Sequence, residues 1–187
     1  MRKGLFTLLS LVCAGLIWAA PAPANAADKI VIRFAHSNTP SDMDPYHALV
    51  TKMSDKLVKK LGADRIEIQE FPAGQIGSEE RSFQDVQQGV IQIASLASNN
   101  AAVFAPSLYV IDLPYLFRTN QEGWAILDKY WDELNAKTIK ESGNRIIGWL
   151  DLGYRHVCNS KRPIRTIEDL KGLKIRVPNN PVMINTF

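Results

Sequence analysis

The chain has 187 residues, enough for one α/β domain of ordinary size and part of a second. Hydrophobic residues make up 46% of the sequence and charged residues 22%, which excludes a disordered chain and a multi-span membrane protein. The formal net charge is +3, and without Arg2 and Lys3 there are 20 basic against 19 acidic residues. Because there is also no dense basic run, nucleic acid is not expected as the main partner.

Residues 1–26 have the pattern of a secretory signal peptide. Two basic residues precede an apolar stretch over residues 4–20, and small residues ending at Ala26 form an A-x-A cleavage site. The alternative is an uncleaved membrane anchor, which the short apolar stretch disfavours. The mature chain would begin at Ala27 and lie in an oxidising compartment.

The positions of the two cysteines are consistent with an exported protein. Cys13 would leave with the signal, since Val12 stands where a lipid-modification site would have Gly, Ala or Ser. Cys158 would then be the one cysteine of the mature chain, so no internal disulfide is expected.

The first half of the mature chain alternates strands and helices. Asp44 and Pro45 begin a helix that ends at Gly62, and Ser78 caps a second helix that ends at Gly89. The βαβαβ order predicts a doubly wound parallel sheet. Its three predicted strands span residues 29–35, 66–71 and 90–95.

The second half is less regular in its pattern. Two prolines interrupt the apolar residues 101–117, which predicts packed loop and short turns. Helical spacing predicts one long helix over residues 120–142, closed by Gly143. Further strands are expected at 145–150, 153–159 and 174–177, and a short helix at 166–170.

Motifs of enzymes and metal sites do not occur in the sequence. His36, His47 and His156 are too scattered for a recognisable metal-ligand spacing, and there is no P-loop, G-x-S-x-G or dinucleotide-binding motif. His156 and Cys158 share a face of a predicted strand, but no third partner for proton transfer is evident. We expect no cofactor, no metal and no enzymatic activity.

Several collinear segments resemble the solute-binding proteins of tripartite ATP-independent periplasmic (TRAP) transporters, of the dicarboxylate-binding type. The resemblance covers nearly all of residues 29–187. Its most characteristic segments are FPAGQIGSEE (71–80), LPYLF (113–117), GYR (153–155) and KRPIRTIEDLKGLKIRVP (161–178).

The resemblance implies an α/β, periplasmic-binding-protein-like fold of two lobes with parallel-dominated sheets. Residues 27–152 would form the first lobe and residues 153–187 the start of the second. Such a receptor binds a small organic acid, a C4-dicarboxylate or a similar carboxylate, and delivers it to the membrane subunits of a TRAP permease. A monomer is expected.

The resemblance also implies two arginines as carboxylate ligands. The family's main arginine lies in the strand matched by Lys174–Pro178, so Arg176 takes that role, and the Gly-x-Arg pattern assigns a second role to Arg155. A guanidinium group donates two parallel hydrogen bonds to a carboxylate and keeps its charge when desolvated.

The first lobe is expected to contribute residues from the carboxyl ends of its strands, where open α/β sheets bind ligands. Ala97 stands where some relatives have an acidic or polar residue, which favours a less hydroxylated acid. The other expected contacts are His36, Ser37, Ser95 and Asn99.

The chain stops at Phe187, in what should be the helix after the arginine strand, so we expect the second lobe to be incomplete. Two alternatives stay open. One is an exported α/β hydrolase-like enzyme with an unrecognised site, and the other is a receptor that feeds a signalling protein instead of a permease.

Overall fold

A parallel sheet of three strands lies at the centre of the fold. The computed structural model describes residues 29–187, and its strand order is β2-β1-β3. The central strand pairs with both neighbours in parallel, with Phe34 opposite Ile93 in β3 and Glu70 in β2. The strands are β1 (Ile30–His36), β2 (Ile66–Phe71) and β3 (Ile93–Ser95).

Two capped helices connect these strands. Helix α1 (Pro45–Leu61) begins where the Asp44 carboxylate accepts a hydrogen bond of 2.9 Å from the His47 amide, and helix α2 (Glu79–Gln87) begins at Ser78. The two crossovers run in opposite directions across the sheet, and right-handed connections therefore place the helices on opposite faces. This is the predicted doubly wound arrangement.

The remaining elements are short helices. The long helix predicted over residues 120–142 is divided at Tyr130, whose backbone leaves the helical conformation, and neither glycine nor proline marks that break in the sequence. These elements are α3 (Ser98–Ala101), a 3-10 helix (Pro106–Asp112), α4 (Asn120–Lys129), α5 (Trp131–Ser142), a second 3-10 helix (Ile167–Leu170) and α6 (Pro181–Thr186).

A cluster of buried apolar residues joins α2 to α3 and the first 3-10 helix. The rings of Phe83 and Phe104 stack 4.8 Å apart, and Ile146 and Trp149 pack against the same cluster. The segment after α5 therefore contributes to the core even though it is not a strand.

The strands predicted at 145–150, 153–159 and 174–177 do not form, and that part of the sequence analysis is wrong. A strand needs a hydrogen-bonded neighbour, and within residues 29–187 these segments pair with none. The Ile146 amide, for example, donates to the side chain of Asn135 on α5 at 3.1 Å.

Other expectations concern the ends of the elements and of the chain. Strand β3 begins at Ile93 and not at residue 90, because the preceding residues form the turn from α2. The predicted signal peptide and Cys13 lie outside the described residues, whereas Cys158 is an exposed free thiol. Within residues 29–187, no helix has the length and apolar character needed to cross a membrane.

Candidate functional site

The carboxyl ends of β1 and β3 lie side by side, as the sequence predicts. His36 at the end of β1 is in register with Ser95 at the end of β3. Glu79, the first residue of α2, joins the loops that follow these strands. Its carboxylate accepts hydrogen bonds from the Ser37 hydroxyl at 2.7 Å and from the Ala97 amide at 2.9 Å.

Glu79 also accepts a hydrogen bond of 2.7 Å from the side chain of Asn100 on α3. With three donors around it, this carboxylate fixes the two loops and α3 relative to one another. Glu79 therefore shapes the edge of the sheet at which the predicted ligand contacts lie.

His36 lies beneath that edge. Its side chain is completely buried, and its Nε2 atom is 2.7 Å from the Glu70 carboxylate, which also accepts from His47 at 2.8 Å. Burial disfavours the charged form of Glu70, but the hydrogen bonds from the two histidines outweigh it and hold the pKa of Glu70 below its ordinary value. The side chain of His36 is thus engaged with β2 and α1.

Tyr46, in the first turn of α1, packs against the His36 ring with the ring centres 5.8 Å apart. Burial, reinforced by the charge of Glu79 and opposed by that of Arg155, raises the pKa of Tyr46 to about 12. The phenol therefore stays protonated at neutral pH and can donate a hydrogen bond to an anion.

Arg155 reaches the carboxyl-end edge of the sheet from the far half of the chain. Its Nη2 atom donates to the side-chain oxygen of Asn99, 3.1 Å away, and Asn99 is itself buried in α3. Two predicted contacts, Arg155 and Asn99, are thereby brought together. The turn before Arg155 is held by Asp151, which accepts hydrogen bonds from the Trp124 ring at 2.9 Å and the Gly153 amide at 2.7 Å.

A buried polar network lies on the other side of Asn99. The Asn180 side chain is fully buried and donates to the Asn99 backbone oxygen at 3.1 Å and to the Asp112 carboxylate at 2.9 Å. Asp112 also accepts from the Ser98 hydroxyl at 2.6 Å. Burial raises the pKa of Asp112 above its ordinary value, against the hydrogen bonds from Ser98 and Asn180 that favour the carboxylate.

Arg176 is exposed, four residues before Asn180. No hydrogen bond or salt bridge of its guanidinium group joins it to another residue of the described range 29–187, so no direct contact brings it to Arg155. His156 and Cys158 are both exposed and follow Arg155 in a segment that forms neither helix nor strand.

Several residues that shape this site were not singled out by the sequence. Tyr46 is part of the apolar face of α1 and so resembles a core residue, and Asp112 lies in residues 101–117, which the sequence predicts to be loop. Glu79 does carry a signal, since a carboxylate directly after a capping serine belongs to the first turn of a helix that begins at the ligand-binding edge. Asn180 precedes Pro181, the pattern of a helix start, which explains its capping role but not its burial.

The arrangement suits the binding of an anion. Arg155 supplies a permanent positive charge, which its hydrogen bond to Asn99 holds near the ends of parallel strands, and Tyr46 supplies a neutral phenol in the first turn of α1. Among the residues from 29 to 187, no group of three His, Cys, Asp or Glu side chains is arranged to hold a metal ion.

Curated relatives of the chain include solute-binding proteins. The chain is 32% identical over 157 residues to the 2,3-diketo-L-gulonate-binding periplasmic protein YiaO of Escherichia coli, an alignment that covers 83% of this chain and 47% of YiaO. The chain thus spans about half the length of the curated relatives it matches.

Solved structures with the same fold are TRAP periplasmic solute-binding proteins. One from Citrobacter koseri, with bound D-glucuronate, is 30% identical with a TM-score of 0.74 over 84% of this chain and 52% of its own. Another from Polaromonas, bound to D-erythronate, is 28% identical with a TM-score of 0.74 over 82% of this chain and 50% of its own. They confirm the predicted α/β fold class.

The family follows from the extent of the match. The model of the bacterial extracellular solute-binding proteins, family 7, matches residues 34–187, well over half of the chain. Proteins of this description are receptors, which confirms the predicted class at the level of the family, a solute receptor and not an enzyme. The chain therefore belongs to the family 7 bacterial extracellular solute-binding proteins, the TRAP receptor family that its sequence resembles.

Proposed function

We propose that this protein is a periplasmic receptor that binds the carboxylate of a small organic acid and delivers the acid to a TRAP membrane permease. The observation that carries the proposal is the position of Arg155, which Asn99 holds at the carboxyl ends of β1 and β3. A fixed guanidinium group at that edge of a parallel sheet is a suitable anchor for a carboxylate.

The proposed ligand contacts combine the two arginines with first-lobe groups. Arg155 and Arg176 bind the carboxylate, while Ser37, Ser95, Ala97 and Asn99 surround the rest of the acid and Tyr46 donates from α1. His36 contributes indirectly, because its buried side chain is bonded to Glu70 and supports the end of β1.

The environment of Ala97 favours an acid with few hydroxyl groups, such as a C4-dicarboxylate. Its methyl group offers no hydrogen bond, and the nearby Glu79 carboxylate already accepts from three donors of the protein. The relatives bind more hydroxylated acids: diketogulonate is in the name of YiaO, and glucuronate and erythronate are bound in the two solved structures. The experiment therefore compares an acid with few hydroxyl groups with more hydroxylated acids.

Export, lobe boundaries and oligomeric state are part of the same proposal. Residues 1–26 direct secretion, residues 27–152 form the first lobe, and residues 153–187 begin the second. The receptor acts as a monomer, because one copy supplies both arginines and the first-lobe edge.

Thermal unfolding of the purified chain with a panel of small molecules tests the proposal. Succinate, D-glucuronate and D-erythronate are compared with butane-1,4-diol, which matches succinate in length but has no charge. At least one carboxylate should raise the melting temperature in a saturable way, because a ligand that binds the folded state stabilises it. NMR should recover that carboxylate unchanged, as a receptor requires.

Two results would contradict the proposal. If no carboxylate raises the melting temperature, or if the diol raises it as much as succinate, carboxylate recognition is absent. Conversion of the acid into another compound would favour an enzymatic function instead.

A further inference from the structure

We propose that Asn180 is a positioning residue, which attaches the segment that carries Arg176 to the first lobe and holds the platform that orients Arg155. The proposal concerns how the site is assembled. Of the two measurements below, only ligand binding depends on the proposed function.

The side chain of Asn180 uses its full hydrogen-bonding capacity. Its two amide hydrogens go to the Asn99 backbone oxygen and the Asp112 carboxylate, and its oxygen accepts from the backbone amides of Val182 at 2.9 Å and Met183 at 3.3 Å. A buried amide satisfied on all sides fixes the geometry of its neighbours, because any displacement leaves polar groups without partners.

These contacts join parts of the chain that are far apart in sequence. On one side Asn180 caps α6, and on the other it holds α3 and the end of the first 3-10 helix. Arg176 lies only four residues before Asn180. Its distance from the first-lobe edge is therefore limited by where Asn180 is bound.

Arg155 depends on the same anchor through Asn99. The backbone of Asn99 is held by Asn180, while its side chain accepts the hydrogen bond from Arg155. Residues 151–160 are all exposed, so burial does little to restrain this segment. Loss of the Asn180 contact should consequently loosen Arg155 as well as Arg176.

The substitution Asn180→Asp separates attachment from capping. A carboxylate still caps α6, since Asp is as good an N-cap as Asn, but it can no longer donate to Asn99 or Asp112. It also places a second negative charge beside Asp112. The double variant Asp112→Asn/Asn180→Asp again gives positions 112 and 180 one donor and one acceptor. The matched control is Asn179→Ala, at the exposed neighbouring position.

Amide hydrogen exchange of the 187-residue chain is the first measurement. At neutral pH, Asn180→Asp should exchange faster at the hydrogen-bonded amides of α3 and α6, the two helices that this side chain joins, while Asn179→Ala should match the parent. Lowering the pH should slow the exchange of Asn180→Asp relative to the parent as the paired carboxylates take up a proton, a response that a general loss of folding would not give.

Ligand binding is the second measurement, with the carboxylate that stabilises the parent chain. Asn180→Asp should bind it about tenfold more weakly, because the arginines are no longer preorganised. The double variant should regain part of that loss, since it restores the contact between positions 112 and 180 but not the one to Asn99. Unchanged exchange in Asn180→Asp, or a double variant no better than the single one, overturns the proposal. If the parent chain binds no carboxylate, the proposed function fails, but the exchange data still decide the role of Asn180.

Discussion

Arg155 and Arg176 have the same predicted partner but different surroundings. Arg155 is already bonded to Asn99, whereas Arg176 is exposed and free to meet a ligand. An arginine clamp on a carboxylate depends on the planar geometry of the guanidinium group as well as on its charge, and substitution can separate these two contributions.

We predict that Arg176→Ala weakens carboxylate binding by about 1.5–3 kcal/mol, the typical contribution of hydrogen bonds to charged groups. Arg176→Lys should recover only part of the loss, since an ammonium group keeps the charge without the two parallel donors. Arg165→Ala, another exposed arginine of the same segment, is the control. Isothermal titration calorimetry checks this, and parent-like affinity in a folded Arg176→Ala would exclude Arg176 from the site.

The pair of His47 and Glu70 predicts a pH-dependent stability. The hydrogen bond to Glu70, opposed by desolvation, raises the pKa of His47 above the ordinary 6.5. A raised pKa means that the folded state binds the proton more tightly, so this stabilisation is complete below pH 6.5 and is lost as the pH rises through the folded-state pKa.

We therefore predict that the free energy of unfolding in urea is larger near pH 6 than near pH 9, and that His47→Gln reduces this difference. Glutamine keeps a donor for Glu70 but does not titrate. An equal pH dependence in the parent and in His47→Gln would show that the histidine is not its source.

At the scale of elements, the turn after β2 connects the strand ends to α2. Its backbone amides at Ala73 and Gly74 donate to the loop after β1, at 2.8 Å to Asn38 and 3.1 Å to His36. Gly77 closes the turn with φ +125°, and a Cβ atom there would lie 2.8 Å from the Arg81 side chain. Both the conformation and the space require glycine.

Gly77→Ala should therefore lower the free energy of unfolding by about 1–3 kcal/mol, the usual cost of a strained backbone conformation. Gly148→Ala provides the comparison, because a Cβ atom at Gly148 meets nothing within 4 Å and its φ is not positive. Chemical denaturation measures both variants. Equal stabilities would mean that the turn adapts to a side chain without cost.

The elements also show what the sequence can and cannot predict. Local signals were sufficient for α1, where Asp44, Pro45 and Gly62 mark both ends. They failed for residues 145–159, because an apolar, β-prone segment indicates what could be a strand but not whether a partner strand lies beside it. The break at Tyr130 has no local signal at all.

For the molecule as a whole, the topology of the parallel sheet follows from the order of its elements, since a βαβαβ chain with right-handed crossovers has few possible arrangements. The site was only partly predictable. Its position at the strand ends follows from the fold, but the network of Asp112, Asn180 and Asn99 depends on tertiary contacts between distant segments.

The separation in sequence within that network bears on how the protein folds. Asn180 is 81 residues from Asn99 and 68 from Asp112, and Arg155 is 56 residues from Asn99. The paired residues of β1 and β3 are 59 positions apart, as in Phe34 and Ile93, and loop-closure entropy grows only slowly with length, so these contacts cost about as much entropy to close as the sheet itself. The proposed site and the sheet therefore place similar demands on the folding chain, and a carboxylate bound at that site would report that both have formed.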